Sequence, residues 1–175
     1  MDGGLRGSFQ ASGRGERLLV VVLADTHIPR RAKGLPGGLV PHLESADLIL
    51  HAGDLLVEDV LYELESYAPV RAVKGNVDGW DVRLPETLEF EVGGVPVAMT
   101  HDAGPKKGRR GRMRRRFPDA RVVVFGHSHV PWLEDEDGLM LLNPGSPTDR
   151  RRAPDHTFAL LRVGGGGARA EILAL

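Results

Sequence analysis

The sequence predicts an α/β fold, a four-layer α/β/β/α sandwich in which two mixed β-sheets pack face to face and helices cover the outside. Three observations carry this expectation: short, continuous apolar runs, helical spacing between the early ones, and hairpins centred on glycine in the second half.

The first apolar run covers residues 18–24, and 47–51, 70–74 and 121–125 repeat it. A continuous run of this length fits a strand buried on both faces, as in a parallel sheet. The stretch 29–45 lies between the first two runs. The amphipathic segment 58–67 follows, with Val60, Leu61 and Leu64 able to share one helical face. Strands alternating with helices imply βαβ units. Further on, 87–92 and 95–100 flank Gly93-Gly94, 132–134 and 139–142 flank Asp137-Gly138, and 157–163 and 169–173 flank a glycine run. Two-residue glycine turns are strong hairpin signals, so these are antiparallel pairs. Parallel units in front and hairpins behind together give the two mixed sheets.

Residues 1–16 are rich in Gly, Ser and Arg without periodicity and are expected to be a disordered tail, leaving 17–175 as one domain. Apolar residues make up 41% and charged residues 27%, which excludes the composition of a disordered chain. The longest apolar run is too short to span a bilayer, and no signal-peptide core precedes it, so a cytoplasmic protein without membrane contact is expected. A net charge of -1 gives no global attraction to nucleic acid. Cysteine is absent, which excludes thiolate metal sites and cysteine nucleophiles and leaves imidazole, carboxylate and amide donors for any metal.

Such donors stand at the ends of the apolar runs. They are Asp25-Thr26-His27, His51-Ala52-Gly53-Asp54, Gly75-Asn76-Val77-Asp78, His101-Asp102 and Gly126-His127-Ser128-His129. Ligands of α/β sheets gather at the carboxyl ends of strands, where the loops converge. Residues two apart in an extended chain point the same way, so Asp25 with His27, and His127 with His129, are each expected to reach one metal together. Any one of these elements alone would be an ordinary turn. Five of them in a chain with only seven histidines point to a site for divalent first-row ions.

This ordered set, followed by Asn143-Pro144-Gly145-Ser146, closely resembles the calcineurin-like metallophosphoesterases, above all the small bacterial and archaeal phosphodiesterases of that superfamily. The resemblance runs from about residue 18 to residue 163. It implies the same four-layer sandwich and a hydrolase of phosphoric ester bonds with two divalent ions, manganese first, with nickel, iron, cobalt or zinc as alternatives. Asp25, His27 and His129 would bind one ion, Asn76, His101 and His127 the other, and Asp54 would bridge them. Asp54, Asn76 and His101 would be the catalytic residues, acting through a shared hydroxide that attacks phosphorus in line and through substrate positioning. The substrate would be a small phosphate ester. The 143–146 segment would be a rigid loop placing its backbone near the site.

Two positions depart from the family pattern. Many members carry His or Cys where Val77 stands, and in those with His it serves with the following Asp as a general acid, so an activated aryl phosphodiester is expected to turn over better than an alkyl phosphomonoester. Asp102 replaces a family Gly, with no second His following; it either orients a neighbouring His or, as the preferred reading, caps a helix starting near Pro105. Eight of the eleven residues 106–116 are basic, Lys106 and Arg116 at the ends. A solvated helix face is the preferred reading over a nucleic-acid grip, because no aromatic is interleaved to stack bases. His51 is expected to pack behind the site, His42 and His156 to be structural, and Trp80 and Asp81 to line the substrate entrance. The alternatives to an enzyme of small esters are a non-catalytic interaction scaffold of the same fold and a nuclease.

Overall fold

The computed structural model describes residues 7–9 and 17–175 of the chain. Its first long strand, β2 (Leu18–Leu23), shows why the apolar runs are unbroken. Val20 and Val22 face the second sheet, while Val21 and Leu23 face a helical layer, so both sets of alternating side chains are buried. β3 (Leu48–His51) repeats this with Leu48 and Leu50 inward and Ile49 outward. β4 (Val70–Ala72) completes a parallel trio in the order β2, β3, β4. On the other side of β2 the antiparallel hairpin of β10 (Thr157–Gly164) and β11 (Gly167–Ala174) closes a five-stranded sheet.

The second sheet has six strands in the order β1, β5, β6, β7, β9, β8. β5 (Thr87–Val92) and β6 (Val95–Thr100) form a hairpin through Gly93-Gly94, whose φ values of 54° and 79° only glycine adopts without strain. β7 (Val122–Val124) runs parallel to both β6 and β9 (Leu139–Asn143), and β8 (Trp132–Glu136) pairs antiparallel with β9. Between the sheets Val20, Leu50, Val97, Met99, Val124 and Leu142 form the central core. Each such side chain contributes roughly 1.5–3 kcal/mol by leaving water.

The outer layers are thin. α1 (Val40–Glu44) and α2 (Asp59–Glu65) cover the five-stranded sheet, with Leu43, Val60 and Leu64 buried against Val21, Leu23 and Ile49. Leu61, expected on the same face, is only half-buried at its edge. Helix is scarce between β2 and β3, because prolines at 29, 36 and 41 and glycines at 34, 37 and 38 break up the stretch 29–45. α3 (Arg109–Arg116) covers the six-stranded sheet through Met113, followed by Phe117. No helix among the described residues is long and apolar enough to cross a membrane.

Of the tail expected over 1–16, residues 7–9 are described, and β1 (Ser8–Phe9) adds a two-residue parallel edge to β5 with Phe9 against the core; the rest lies outside the described residues. β2, β3 and β4 of one sheet and β6 and β7 of the other all send their carboxyl ends to the same edge of the sandwich. The candidate donors follow those ends.

Candidate metal centre

Five of the seven candidate ligands have left-handed backbone: Asp25 (φ 56°), His27 (46°), Asp54 (60°), His127 (70°) and His129 (61°). Such a conformation costs a non-glycine residue roughly 1–2 kcal/mol, and its concentration at one place marks a site whose geometry is held by its surroundings. It also corrects the expectation drawn from extended spacing. The chain turns at each of these residues, so Asp25 and His27 meet through a turn, while His127 and His129 go to different clusters.

The first cluster is Asp25, His27 and His129, each offering a ligand atom within 4.8 Å of the other two. His129 Nε2 lies 3.6 Å from Asp25 Oδ1, and the rings of His27 and His129 are 4.9 Å apart. In the second cluster Asn76 Oδ1 is 2.9 Å from His101 Nε2 and 3.1 Å from His127 Nδ1. Asp54 stands between them, its Oδ2 3.3 Å from His27 Nε2 and 3.3 Å from His101 Nε2. The structure thus brings all seven residues together. The first cluster is sealed, with Asp25 and His129 at 0% exposure, whereas Asn76 and His127 are open to solvent.

The ring orientations are fixed from behind. His101 Nδ1 donates to the carbonyl of Ala52 at 2.7 Å, and His129 Nδ1 to that of Asp149 at 2.5 Å, so each turns its Nε2 toward the centre. Asp25 Oδ2, His27 Nε2 and His129 Nε2 are buried with no hydrogen-bond partner among the described residues. Three buried polar atoms without partners in one cluster need an explanation, and a divalent cation supplies one that suits two imidazoles and a carboxylate. Electrostatics agree. Burial pushes Asp25 up to about 8 and His129 down to about 4, so neither holds its charge there. Burial also opposes ionisation of Asp54, but the His101 and His27 rings and the Val77 N–H overcome it and hold the carboxyl below the usual carboxylate range. His101 is raised against its own burial by Asp54 and Asp25.

Much of what braces the centre was not evident from the motifs. Asp78 accepts hydrogen bonds from the backbone N–H groups of Gly75, Leu56 and Asp54, and so fixes the loop carrying the bridging carboxylate. The 143–146 loop, expected to bring its backbone near the site, reaches it through side chains: Asn143 Nδ2 donates to Gly126 O at 2.9 Å, and Ser146 Oγ to Asp25 O at 2.8 Å. Thr148 Oγ1 donates to Thr26 O. These partners lie more than 100 residues from Asp25 and Thr26 in sequence, so no local pattern could have found them. Gly53 is needed for space, since a Cβ there would sit 2.7 Å from Gly75 N and 2.8 Å from His101 Nδ1.

His51 lies behind the site as expected. Its Nδ1 accepts from Gly53 N–H, its Nε2 is 3.1 Å from Thr26 Oγ1, and full burial lowers it to about 3. His42 packs on Phe158 and His156 faces the carbonyl of Pro147. Asp102 caps no helix; its Oδ1 takes the Gly104 N–H at 2.7 Å, and α3 begins after Gly108 without a side-chain cap. A cleft of about 420 Å³ opens beside Asn76 and His101, lined also by Lys74, Glu86, Asp102 and Arg116, and Trp80 is not part of that lining. Within the basic segment, Arg110 pairs with Glu134, Arg109 donates to Gly104 O, Arg112 to Ala103 O and Arg114 to Ala120 O. Those guanidinium groups tie α3 to its neighbours.

Residues 18–166 match the calcineurin-like phosphoesterase superfamily domain. A probable metallophosphoesterase of Methanothermobacter thermautotrophicus is 37% identical over 159 residues, spanning 89% of this chain and 92% of that protein. Among solved structures, a predicted phosphoesterase from Streptococcus pneumoniae matches with TM-score 0.70 at 23% identity, covering 91% of this chain and 90% of its own. Vacuolar protein sorting 29 of Cryptosporidium parvum matches with TM-score 0.76 at 20% identity, covering 91% and 98%. At these identities the two structures share the fold.

Proposed function

The chain belongs to the calcineurin-like phosphoesterase superfamily, and from that membership we propose that it hydrolyses phosphate diesters at a centre of two divalent ions. Asp25, His27 and His129 would hold one ion, Asn76, His101 and His127 the other, with Asp54 between them. The observation that carries this reading is the position of Asp54 Oδ2, 3.3 Å from a histidine of each cluster. When bound, the ions supply Lewis acidity, lowering the pKa of the attacking water and neutralising charge that grows on the phosphoryl oxygens.

The chain's own residues do the rest. His101 and His129 are locked in one tautomer by the carbonyls of Ala52 and Asp149, which keeps the donor set preorganised. The solvent-open side at Asn76 and His127 admits substrate, and the neighbouring cleft has the volume of a small ester group. Proton delivery to the leaving group is weak. Val77 presents an alkyl side chain, and the Asp78 carboxylate is engaged by three backbone amides. Substrates with good leaving groups, such as aryl phosphodiesters, are therefore favoured over alkyl phosphomonoesters. Manganese is the ion we expect, because it suits a site of oxygen and imidazole donors.

Likeness of fold to the vacuolar sorting protein is the support for a scaffold reading, and fold alone does not choose between functions. The unpartnered buried donors fit a bound metal ion, which the enzyme reading requires. The test is to strip metal, add back manganese, nickel, zinc or magnesium, and compare aryl phosphodiester with phosphomonoester hydrolysis, using Asp54→Ala as control. Metal-restored diester hydrolysis lost in Asp54→Ala supports the proposal. No hydrolysis with any ion, or equal rates in Asp54→Ala, removes it.

A further inference from the structure

The loop after the 143–146 segment carries three consecutive arginines, Arg150 to Arg152. Arg150 donates to the carbonyls of Ala153 and Pro154 and stabilises its own turn. Arg151 is different. Its backbone is left-handed at φ 45°, in a turn closed by the Ala153 N–H to Arg150 carbonyl bond, a conformation that glycine or asparagine adopts more cheaply. The side chain reaches toward the centre, with Nη1 3.4 Å from the carbonyl of His127 and Nε 3.9 Å from Asp149 Oδ2. Asp149 pairs more closely with Arg31, at 3.2 Å, and its carbonyl orients His129. Arg151 is thus loosely held by neighbours of both clusters, and its side chain remains 47% exposed. Its charge is near enough to bear on Asp25 and His129. A strained turn that holds a half-exposed guanidinium beside a candidate centre, engaged among the described residues only by the His127 carbonyl and, at 3.9 Å, by Asp149, is the arrangement an arginine needs to take a phosphate.

We propose that Arg151 binds the non-bridging oxygens of the substrate's phosphoryl group, and the same oxygens of the phosphate product. The inference rests on the phosphoesterase reading, and it adds a phosphate-binding residue outside the donor set. Asp149 would be a positioning residue, linking the orientation of His129 to the placement of Arg151. A guanidinium forks onto two oxygens of one phosphate, which an ammonium cannot copy.

The backbone conformation makes the test clean, because Arg151→Gly relieves the strained φ while removing the side chain. Calorimetric binding of inorganic phosphate to the manganese-loaded full chain is measured beside metal content, melting temperature and aryl phosphodiester hydrolysis. For Arg151→Gly we expect unchanged metal content, a melting temperature at or above wild type, and phosphate affinity and kcat/KM both down about 10- to 100-fold, as for loss of a charge-assisted hydrogen bond. Arg151→Lys should recover only part of the loss, and added guanidinium should partly restore Arg151→Gly. Wild-type phosphate affinity in Arg151→Gly, or a loss accompanied by lost metal or lowered melting temperature, overturns the inference while leaving the phosphoesterase reading intact. A wild-type chain that neither binds phosphate nor hydrolyses any ester overturns both.

Discussion

Removing the Asp78 carboxylate should loosen the loop that carries Asp54. In Asp78→Ala the N–H groups of Gly75, Leu56 and Asp54, now bonded at 2.6, 2.8 and 3.1 Å, lose their acceptor together. A hydrogen bond to a charged group contributes roughly 1.5–3 kcal/mol. The clamp is only half-buried, so water replaces part of each bond, and about 3 kcal/mol for the set is the expected loss. In a chain of this size that lowers the melting temperature by about 6–12 °C. Asp78→Asn keeps one carbonyl oxygen and should lose about half as much. The assay is thermal unfolding of the metal-free protein, followed by manganese titration, in which both variants should also bind more weakly. If Asp78→Ala melted within about 2 °C of wild type yet lost hydrolysis, Asp78 would be a proton donor and the clamp argument would be refuted.

In the metal-free chain Asp25 keeps its proton to about 8 against 3.8 for a free carboxyl, so the folded state binds the extra proton and stability from this group falls as pH rises between these values. His51 and His129, lowered to about 3 and about 4 from 6.5, work in the opposite sense, their stability being lost as pH falls below 6.5. Melting temperature should therefore peak near pH 6.5 and decline toward pH 8, with the raised His101 adding to the decline and saturating manganese abolishing it; a flat metal-free profile across that window contradicts the electrostatics. Val77→His restores a proton donor beside the centre and should raise alkyl phosphomonoester turnover about 10²-fold; an unchanged ratio of monoester to diester rates would show that proton delivery is not the limit. Gly53→Ala meets Gly75 N and His101 Nδ1 and sits at φ 94°, so denaturant unfolding should show a loss of roughly 2–4 kcal/mol; wild-type stability would contradict that packing.

The sheets were legible because both faces of β2, β3 and β7 are buried, which leaves no room for polar alternation and makes the strands visible as apolar runs. The hairpins were legible because Gly93-Gly94 and Asp137-Gly138 carry the positive φ values their turns need. The donors were legible because each lies within five residues of a strand's carboxyl end. What lay outside local pattern was how the donors are held. Nothing in Asp25-Thr26-His27 announces left-handed backbone, and nothing near Ser146 announces a bond to Asp25 across 121 residues. Asp78 sits in what alone would be an ordinary turn, and nothing in the sequence marks Asp149, whose carbonyl orients His129. Asp102 illustrates the converse: a plausible cap that instead closes a short turn onto Gly104, because α3 starts later than Pro105 suggests.

A two-ion centre with Asp54 between the clusters is tested most directly by the manganese stoichiometry of the metal-stripped chain, measured by equilibrium dialysis. Two ions per wild-type chain are expected, one in His129→Ala, where only the first cluster is broken, and weakened binding of both in Asp54→Ala. A single ion in wild type, or two ions held with undiminished affinity by Asp54→Ala, would contradict it.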